Sequence, residues 1–365
     1  MAFLRAFALL CFLATAAAPQ LSVVAPPSGA LPSGPYLTNV TPTSGTVLWI
    51  TDQATVRYGT DPGRLSSSLP PFRVNQVTLT GLKPATTYYY DIPGAGQGSF
   101  TTPPNGHGGF TFVVYGDVRT RHDVHRRVAE KILAARPTFL VNTGDLVADG
   151  RVASQWPTFF EISRELLRTT PFFPALGNHD HNAPFWYQFF AKTSGYYSFD
   201  WGNAHFAMLN SDVANAAAEE GRAAYWNEQI AWLEKDLENS RSADFRFVVV
   251  HHPPYTAMMR RKAGAEKIAA RLVPVLRKHR VQAVFSGHDH NYQRHLDAGI
   301  QYVVTGGGGA PLYEVDGPIP GISQKVESIE NYVFARVEGQ RVRFEARALD
   351  ARVLDRFEVS SGKGY

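Results

Sequence analysis

From residue 110 onward the chain alternates short, unbroken apolar runs with longer stretches that mix apolar and polar residues at helical spacing. The apolar runs fall at 110–115, 139–142, 172–176, 204–209, 245–250 and 281–285. Continuous runs of that length suit strands buried on both faces, whereas a half-exposed strand would alternate. The mixed stretches at 124–135, 156–167, 219–239 and 265–278 predict helices. Strand followed by helix, repeated, predicts layered α/β packing around a largely parallel core. The tail differs. Residues 301–305, 332–337, 342–348 and 353–359 read as consecutive strands, so we expect a second sheet on the first with helices outside, an αββα sandwich. Ahead of residue 110, β-prone runs at 46–50, 54–58, 75–79 and 87–90 are punctuated by Asp61-Pro62-Gly63, Gly81-Leu82-Lys83-Pro84 and Pro93-Gly94. They predict a small all-β sandwich over 34–102, divided by the Pro- and Gly-rich linker 102–109 from an α/β unit at 110–360.

The strand ends carry the polar chemistry. Tyr-Gly-Asp-Val at 115–118, Thr-Gly-Asp-Leu at 143–146, Gly-Asn-His-Asp at 177–180, Val-His-His-Pro-Pro at 250–254 and Gly-His-Asp-His at 287–290 each set Asp, Asn or His after an apolar run. Strand ends of an open α/β sheet share one crevice, so these side chains are expected to converge. Alone, a Gly-Asp pair is a common turn or helix cap, with the Gly supplying the sharp backbone bend. A lone His is by default a surface residue. All five blocks in this order point instead to metal, because oxygen and imidazole donors gathered at one spot suit divalent or trivalent ions. Their number exceeds what one ion needs, which suggests two ions sharing a bridging carboxylate. Such a pair clamps both oxygens of an in-line displacement at phosphorus.

Bulk properties narrow the setting. A length of 365 residues allows two domains. Residues 1–18 hold one charged side chain, Arg5, then an apolar core and small residues, the layout of a secretory signal peptide. We therefore expect a secreted or periplasmic protein. The sole cysteine, Cys11, falls in that leader, which leaves the mature chain without disulfides or thiolate ligands. The net charge of +4 is mildly favourable to anionic substrates. The densest basic run is Arg260-Arg261-Lys262, too short for a nucleic-acid strip, and no later segment is apolar for long enough to span a membrane.

The five blocks resemble those of the calcineurin-like metallophosphoesterase superfamily. Residues 34–102 are similar to the fibronectin type III-like N-terminal domain of purple acid phosphatases. The similarity there lies in Pro35-Tyr36-Leu37, Thr46-Val47-Leu48-Trp49 and Gly81-Leu82-Lys83-Pro84-Ala85-Thr86-Thr87-Tyr88-Tyr89. The resemblance implies two metal ions (Fe, Zn or Mn), bridged by Asp145. Asn178, His251 and His288 would complete one, and Asp117 and His290 would hold the other. It implies that His179 touches the substrate phosphate or protonates the leaving group, and that a metal-bound hydroxide attacks phosphorus in line. His252 and Asp289 are either supports for ligand histidines or loop residues.

Two departures from the family pattern stand out. The first block has Arg119 where the superfamily usually has His, and the second has Ala148 where purple acid phosphatases have Tyr. Without that phenolate no purple colour is expected. We expect His125 to fill the vacant ligand position, with His122 or Asp123 as alternatives, and Arg119 to be free to grip phosphate. The Gly-rich segment 306–309 reads either as a flexible wall of the crevice or as a tight turn. The resulting expectation is hydrolysis of small phosphate monoesters, with phosphodiester hydrolysis as the alternative reaction. An extracytoplasmic binding protein with a vestigial metal site is the alternative of another class.

Overall fold

The computed structural model describes residues 33–50, 56–63, 65, 67–69 and 76–361. The expected leader at 1–18, with Cys11, lies outside them, as do residues 54, 55 and 75 of two expected strands.

Before the linker the described residues form strands β1 (Ser33–Thr41), β2 (Ser44–Ile50), β3 (Val56–Gly59), β4 (Ser67–Leu69), β5 (Gln76–Leu79), β6 (Thr87–Ile92) and β7 (Gly96–Thr101). They pair as two small antiparallel sheets, β1-β2-β5 and β4-β3-β6-β7. After it come β8 (Phe110–Tyr115), α1 (His122–Ala135), β9 (Phe139–Asn142), α2 (Trp156–Leu167), β10 (Phe172–Pro174), α3 (Pro184–Phe189), β11 (Tyr197–Trp201) and β12 (Ala204–Leu209). The chain continues through α4 (Val213–Ala216), α5 (Arg222–Asn239), β13 (Phe245–Val250), α6 (Lys262–Lys278), β14 (Ala283–Ser286), β15 (Tyr292–Asp297) and β16 (Ile300–Thr305). β17 (Ser323–Glu327), β18 (Asn331–Glu338), β19 (Arg341–Ala348) and β20 (Val353–Ser360) close it.

Two sheets make the centre. One runs β10-β9-β8-β18-β19-β20 and the other β11-β12-β13-β14-β16-β15-β17. Each has a parallel set, β10-β9-β8 at one edge of the first, continued by antiparallel strands, and β12-β13-β14-β16 in the middle of the second, flanked by antiparallel strands. The tail strands divide between them, contrary to the expectation that they build the second sheet together. Burial gives the reason. Every residue of β16 is buried, so it needs neighbours on all sides and sits inside the seven-stranded sheet. β19 alternates exposed and buried positions, as a strand with one wet face does, and continues the first sheet outward.

The facing sheets are joined by aromatic rings. Phe112 of β8 lies 5.3 Å from Phe206, 5.9 Å from Phe247 and 6.4 Å from Phe285 of the opposite sheet. Contacts of this kind add about 0.5–1.5 kcal/mol each beyond the burial itself. On the outer face of the first sheet, α1 buries Val124, Val128 and Ile132, one residue per turn, beside the aromatic face of α2. Leu233 and Leu237 of α5 and Leu272 and Leu276 of α6 cover the second sheet. The N-terminal strands rest on α2 and α3, where the Tyr36 hydroxyl donates to the Phe189 carbonyl at 2.6 Å and the Tyr90 hydroxyl to the Arg168 carbonyl at 2.8 Å.

One buried charge braces the second sheet. His205 on β12 sits 2.7 Å from an Asp200 oxygen and 2.8 Å from an Asp236 oxygen. Burial alone would lower its pKa, but the two carboxylates raise it from 6.5 to about 9. A raised folded-state pKa contributes stability that is complete below the unfolded value and lost as pH climbs through the folded one. We expect the unfolding free energy in urea to fall between pH 6.5 and 9, by at most about 3 kcal/mol from this group. His205→Gln should flatten that slope; an unchanged slope would show that the imidazolium contributes nothing.

Candidate metal centre

Every block sits where a parallel strand of one of the two main sheets stops. β8 delivers Asp117, β9 Asp145, β10 Asn178, β13 His251 and β14 His288 and His290. Asp117, Asp145 and His288 adopt left-handed backbone, with φ of 57°, 60° and 67°. Such values are uncommon outside glycine and concentrate at functional sites. The sequence placed the sharp bend on the preceding glycine, yet of Gly116, Gly144 and Gly287 only Gly144 shares the positive φ, at 104°. Gly287 is required for a different reason: a side-chain carbon there would overlap the Asp117 carboxylate.

The six expected donors come together. Asp117, Asp145 and His290 offer ligand atoms that all lie within 4.8 Å of one another, in a candidate metal-binding group. Nε2 of His251 is 3.0 Å from Oδ1 of Asn178 and 3.5 Å from Oδ1 of Asp145. Nδ1 of His288 is also 3.0 Å from Oδ1 of Asn178, and Nε2 of His290 is 3.4 Å from Oδ1 of Asp117.

The chemistry of these contacts tests whether the residues suit a metal. Nδ1 of His251 lies 2.8 Å from the Thr143 carbonyl, and Nδ1 of His290 lies 2.7 Å from the Pro311 carbonyl. A carbonyl can only accept, so each Nδ1 carries the hydrogen and each neutral ring turns the Nε2 lone pair toward an oxygen acceptor. Acceptor facing acceptor repels, and positive charge between them removes the repulsion. The side chains are those that divalent or trivalent ions take, so they fit the group. A proton can also play that part: burial would lower His251 and raise Asp145, yet the carboxylates of Asp145 and Asp117 draw His251 upward and His251 draws Asp145 downward.

His179 uses the same device. Its Nδ1 donates to the Ala148 carbonyl at 2.7 Å, and its backbone N–H donates to the Asp145 carboxylate at 2.8 Å. Arg119 is less free than expected. Its Nε lies 3.3 Å from Oδ2 of Asp145 and one terminal nitrogen lies 3.5 Å from Nε2 of His290, so the guanidinium is already seated against the donors.

The His125 expectation needs correction. Its Nε2 is 3.3 Å from the Ser163 hydroxyl, its ring lies over Phe159 at 5.7 Å, and it does not join the donor group. Apolar surroundings explain this, because burial pushes its pKa down to about 3 and the ring packs as a neutral core residue under α2. The alternatives His122 and Asp123 are exposed and also lie outside the group.

Sequence reasoning missed the residue that ties the blocks together. The buried Asp180 carboxylate accepts the backbone N–H groups of Asp145 and Leu146, both at 3.0 Å, and of Gly177 at 2.8 Å. Burial and the nearby Asp145 raise its pKa to about 7. It is the last letter of the Gly-Asn-His-Asp block, which was the one available signal. For His252 and Asp289 two readings were open, and their hydrogen bonds go elsewhere than to the ligand imidazoles. His252 bonds to Ser211, and Asp289 to Thr256, Gln293 and Arg261, while backbone carbonyls support the ligands. The Gly-rich segment is packed backbone, not a flexible wall: Gly308 N–H donates to the Gly116 carbonyl at 3.0 Å and Ala310 N–H to the Asp117 carbonyl at 2.7 Å.

The model of the calcineurin-like phosphoesterase family matches residues 110–292, half of the chain and all five blocks. The chain belongs to the calcineurin-like phosphoesterase family. This metallophosphoesterase is 28% identical over 303 residues to "Probable purple acid phosphatase 20" of Arabidopsis thaliana, a match covering 72% of this chain and 69% of the relative. It is also 28% identical over 273 residues to "Purple acid phosphatase 21" of the same plant, covering 65% of this chain and 58% of the relative. In fold it resembles purple acid phosphatase PPD1 from seeds of yellow lupin (Lupinus luteus), with a TM-score of 0.74 at 18% identity, over 90% of this chain and 74% of that one. The domain is that of phosphoric ester hydrolases. Among the described residues no helix is long and apolar enough to cross a membrane.

Asp180→Ala would leave three buried N–H groups without an acceptor at about 1–3 kcal/mol apiece, partly relieved by water. We expect a loss of about 3 kcal/mol in urea unfolding and a fall in metal affinity of about 10–100-fold by titration. Wild-type behaviour in both measurements would remove Asp180 from the support of the site.

Proposed function

We propose that the protein is an exported, metal-dependent hydrolase of small phosphate monoesters working with two ions. The observation that carries this reading is the meeting of lone pairs around Asn178 and Asp145, which asks for cations at that spot. In this reading Asp145 would be shared between the ions, Asn178, His251 and His288 would hold one and Asp117 and His290 the other; iron, zinc and manganese all accept such donors. When bound, the ions make coordinated water acidic near neutral pH and offset negative charge at phosphorus.

The chain's own residues do the rest. Arg119, already against Asp145 and His290, presents its planar fork to a non-bridging phosphate oxygen. The Nδ1 hydrogen of His179 is committed to Ala148, so a second proton, carried on Nε2 by the imidazolium form, is the one handed to the departing alcohol. The burial of Asp117, Asp145 and His251 keeps bulk water from competing for these contacts. Export is supported by the composition of residues 1–18. The paired small sheets before residue 102 support an accessory domain of the fibronectin type III-like kind at 34–102, with the catalytic unit at 110–360.

Metal analysis of the purified protein should give two ions per chain. It should hydrolyse p-nitrophenyl phosphate faster than the bis ester, and Asn178→Ala or His251→Ala should cost about 100-fold or more in rate. A chelated protein that keeps its full rate would sink the reading. Faster turnover of the bis ester would make it a diesterase. No turnover of either ester with manganese, zinc or iron supplied would leave a binding protein.

A further inference from the structure

A cavity of about 750 Å³ opens directly beside the candidate metal centre. His252 and His288 form its near end, and helix α6 runs along it. Its apolar walls include Trp226 of α5, Pro253 and Ile268. Its charged lining is almost wholly positive: Arg260, Arg261, Lys267 and Arg271, against the single carboxylate of Asp289. That carboxylate is taken, since Arg261 binds it at 2.7 Å and Thr256 donates to it. Arg261 also donates to the His288 carbonyl, which fixes the near end of the basic row to a donor loop. Among the described residues no ion pair is formed by Arg260, Lys267 or Arg271; Arg260 lies 4.5 Å over the Tyr313 ring, and Arg271 reaches only an Asn227 side chain at 3.5 Å.

The arrangement on α6 is purposeful in its spacing. Gly264, Lys267, Ile268 and Arg271 recur at intervals of three and four, so one face of the helix lines the cavity. Lys267 and Arg271 stand one turn apart, a pairing of like charges that weakens a helix unless an anion lies between them. With a rise of 1.5 Å per residue, the row from Arg261 to Arg271 spans roughly 15 Å. A monoester with a neutral alcohol has nothing to offer that row.

We propose that this cavity is a subsite for a second phosphate, so that the preferred substrates are phosphate esters whose alcohol carries a further phosphate group. The inference rests on the phosphoesterase reading above. The scissile phosphate meets the donor cluster, the organic body lies on Trp226, Pro253 and Ile268, and the second phosphate is held by Lys267 and Arg271. Two charge-assisted contacts of that kind act on binding and so lower KM without requiring a change in kcat.

Adenosine 3′-monophosphate and adenosine 3′,5′-bisphosphate differ only in the second phosphate. The wild-type protein should show a KM for release of the 3′-phosphate at least about tenfold lower for the bisphosphate. The Lys267→Glu/Arg271→Glu variant should erase that ratio. A Lys131→Glu/Lys262→Glu variant, with the same change of charge at exposed positions outside the cavity, should keep it. Equal KM values in the wild type, or a ratio that survives the first variant, would overturn the proposal. Calorimetric titration of chelated protein with the bisphosphate separates this from failure of the hydrolase reading. Binding that depends on Lys267 and Arg271 upholds the subsite even if no ester is turned over, and absent binding removes it.

Discussion

The structure is organised around a repulsion. Carboxylates, an amide oxygen and imidazole lone pairs are pressed together at the ends of two sheets, with Asp117, Asp145, His251 and His290 buried and Asn178 and His288 partly so. Buried groups of one sign are costly unless a partner offsets them. The surrounding fold exists in large part to hold them against that cost. Asp180 gathers three backbone N–H groups, carbonyls pin the imidazoles, and left-handed turns aim Asp117, Asp145 and His288 inward. The Arg119 guanidinium brings a full positive charge from the protein onto the cluster, lying against Asp145 and His290.

Much of this was legible in the sequence. Strands buried on both faces must be continuous apolar runs, so β8, β9, β12 and β13 appear where the pattern put them. β11, β15 and β17 escaped because they carry polar residues that bond within the structure, such as His295 to Gln293 and Arg294 to Asp355. The donors themselves were readable because chemistry restricts them to a few residue types after strand ends. Their supports were not. A backbone carbonyl has no sequence identity, so the partners of His251, His290 and His179 leave no trace in the letters.

His125 shows the limit from the other side. Its position on the first turn of α1 and a gap in the ligand set made it an attractive candidate. The aromatic face of α2 decided otherwise, since Phe159 takes the ring and Ser163 its nitrogen. Sequence spacing placed the residue near the cluster but carried no information on which neighbour would claim it. Of the basic row only Arg260-Arg261-Lys262 stood out in the sequence, because the cavity that these arginines share with Lys267 and Arg271 is made jointly with α5 and with the loop after β13.

The donors come from both sheets: Asp117, Asp145 and Asn178 from the first, His251, His288 and His290 from the second. Nothing covalent links the two sets nearby. Their separation is therefore inherited from the thickness of the phenylalanine layer that Phe112 makes with Phe206, Phe247 and Phe285. Close-packed interiors transmit such dimensions faithfully. The radius of cation that the two half-sites can share is thus gauged by hydrocarbon rings deep in the molecule, which never touch it.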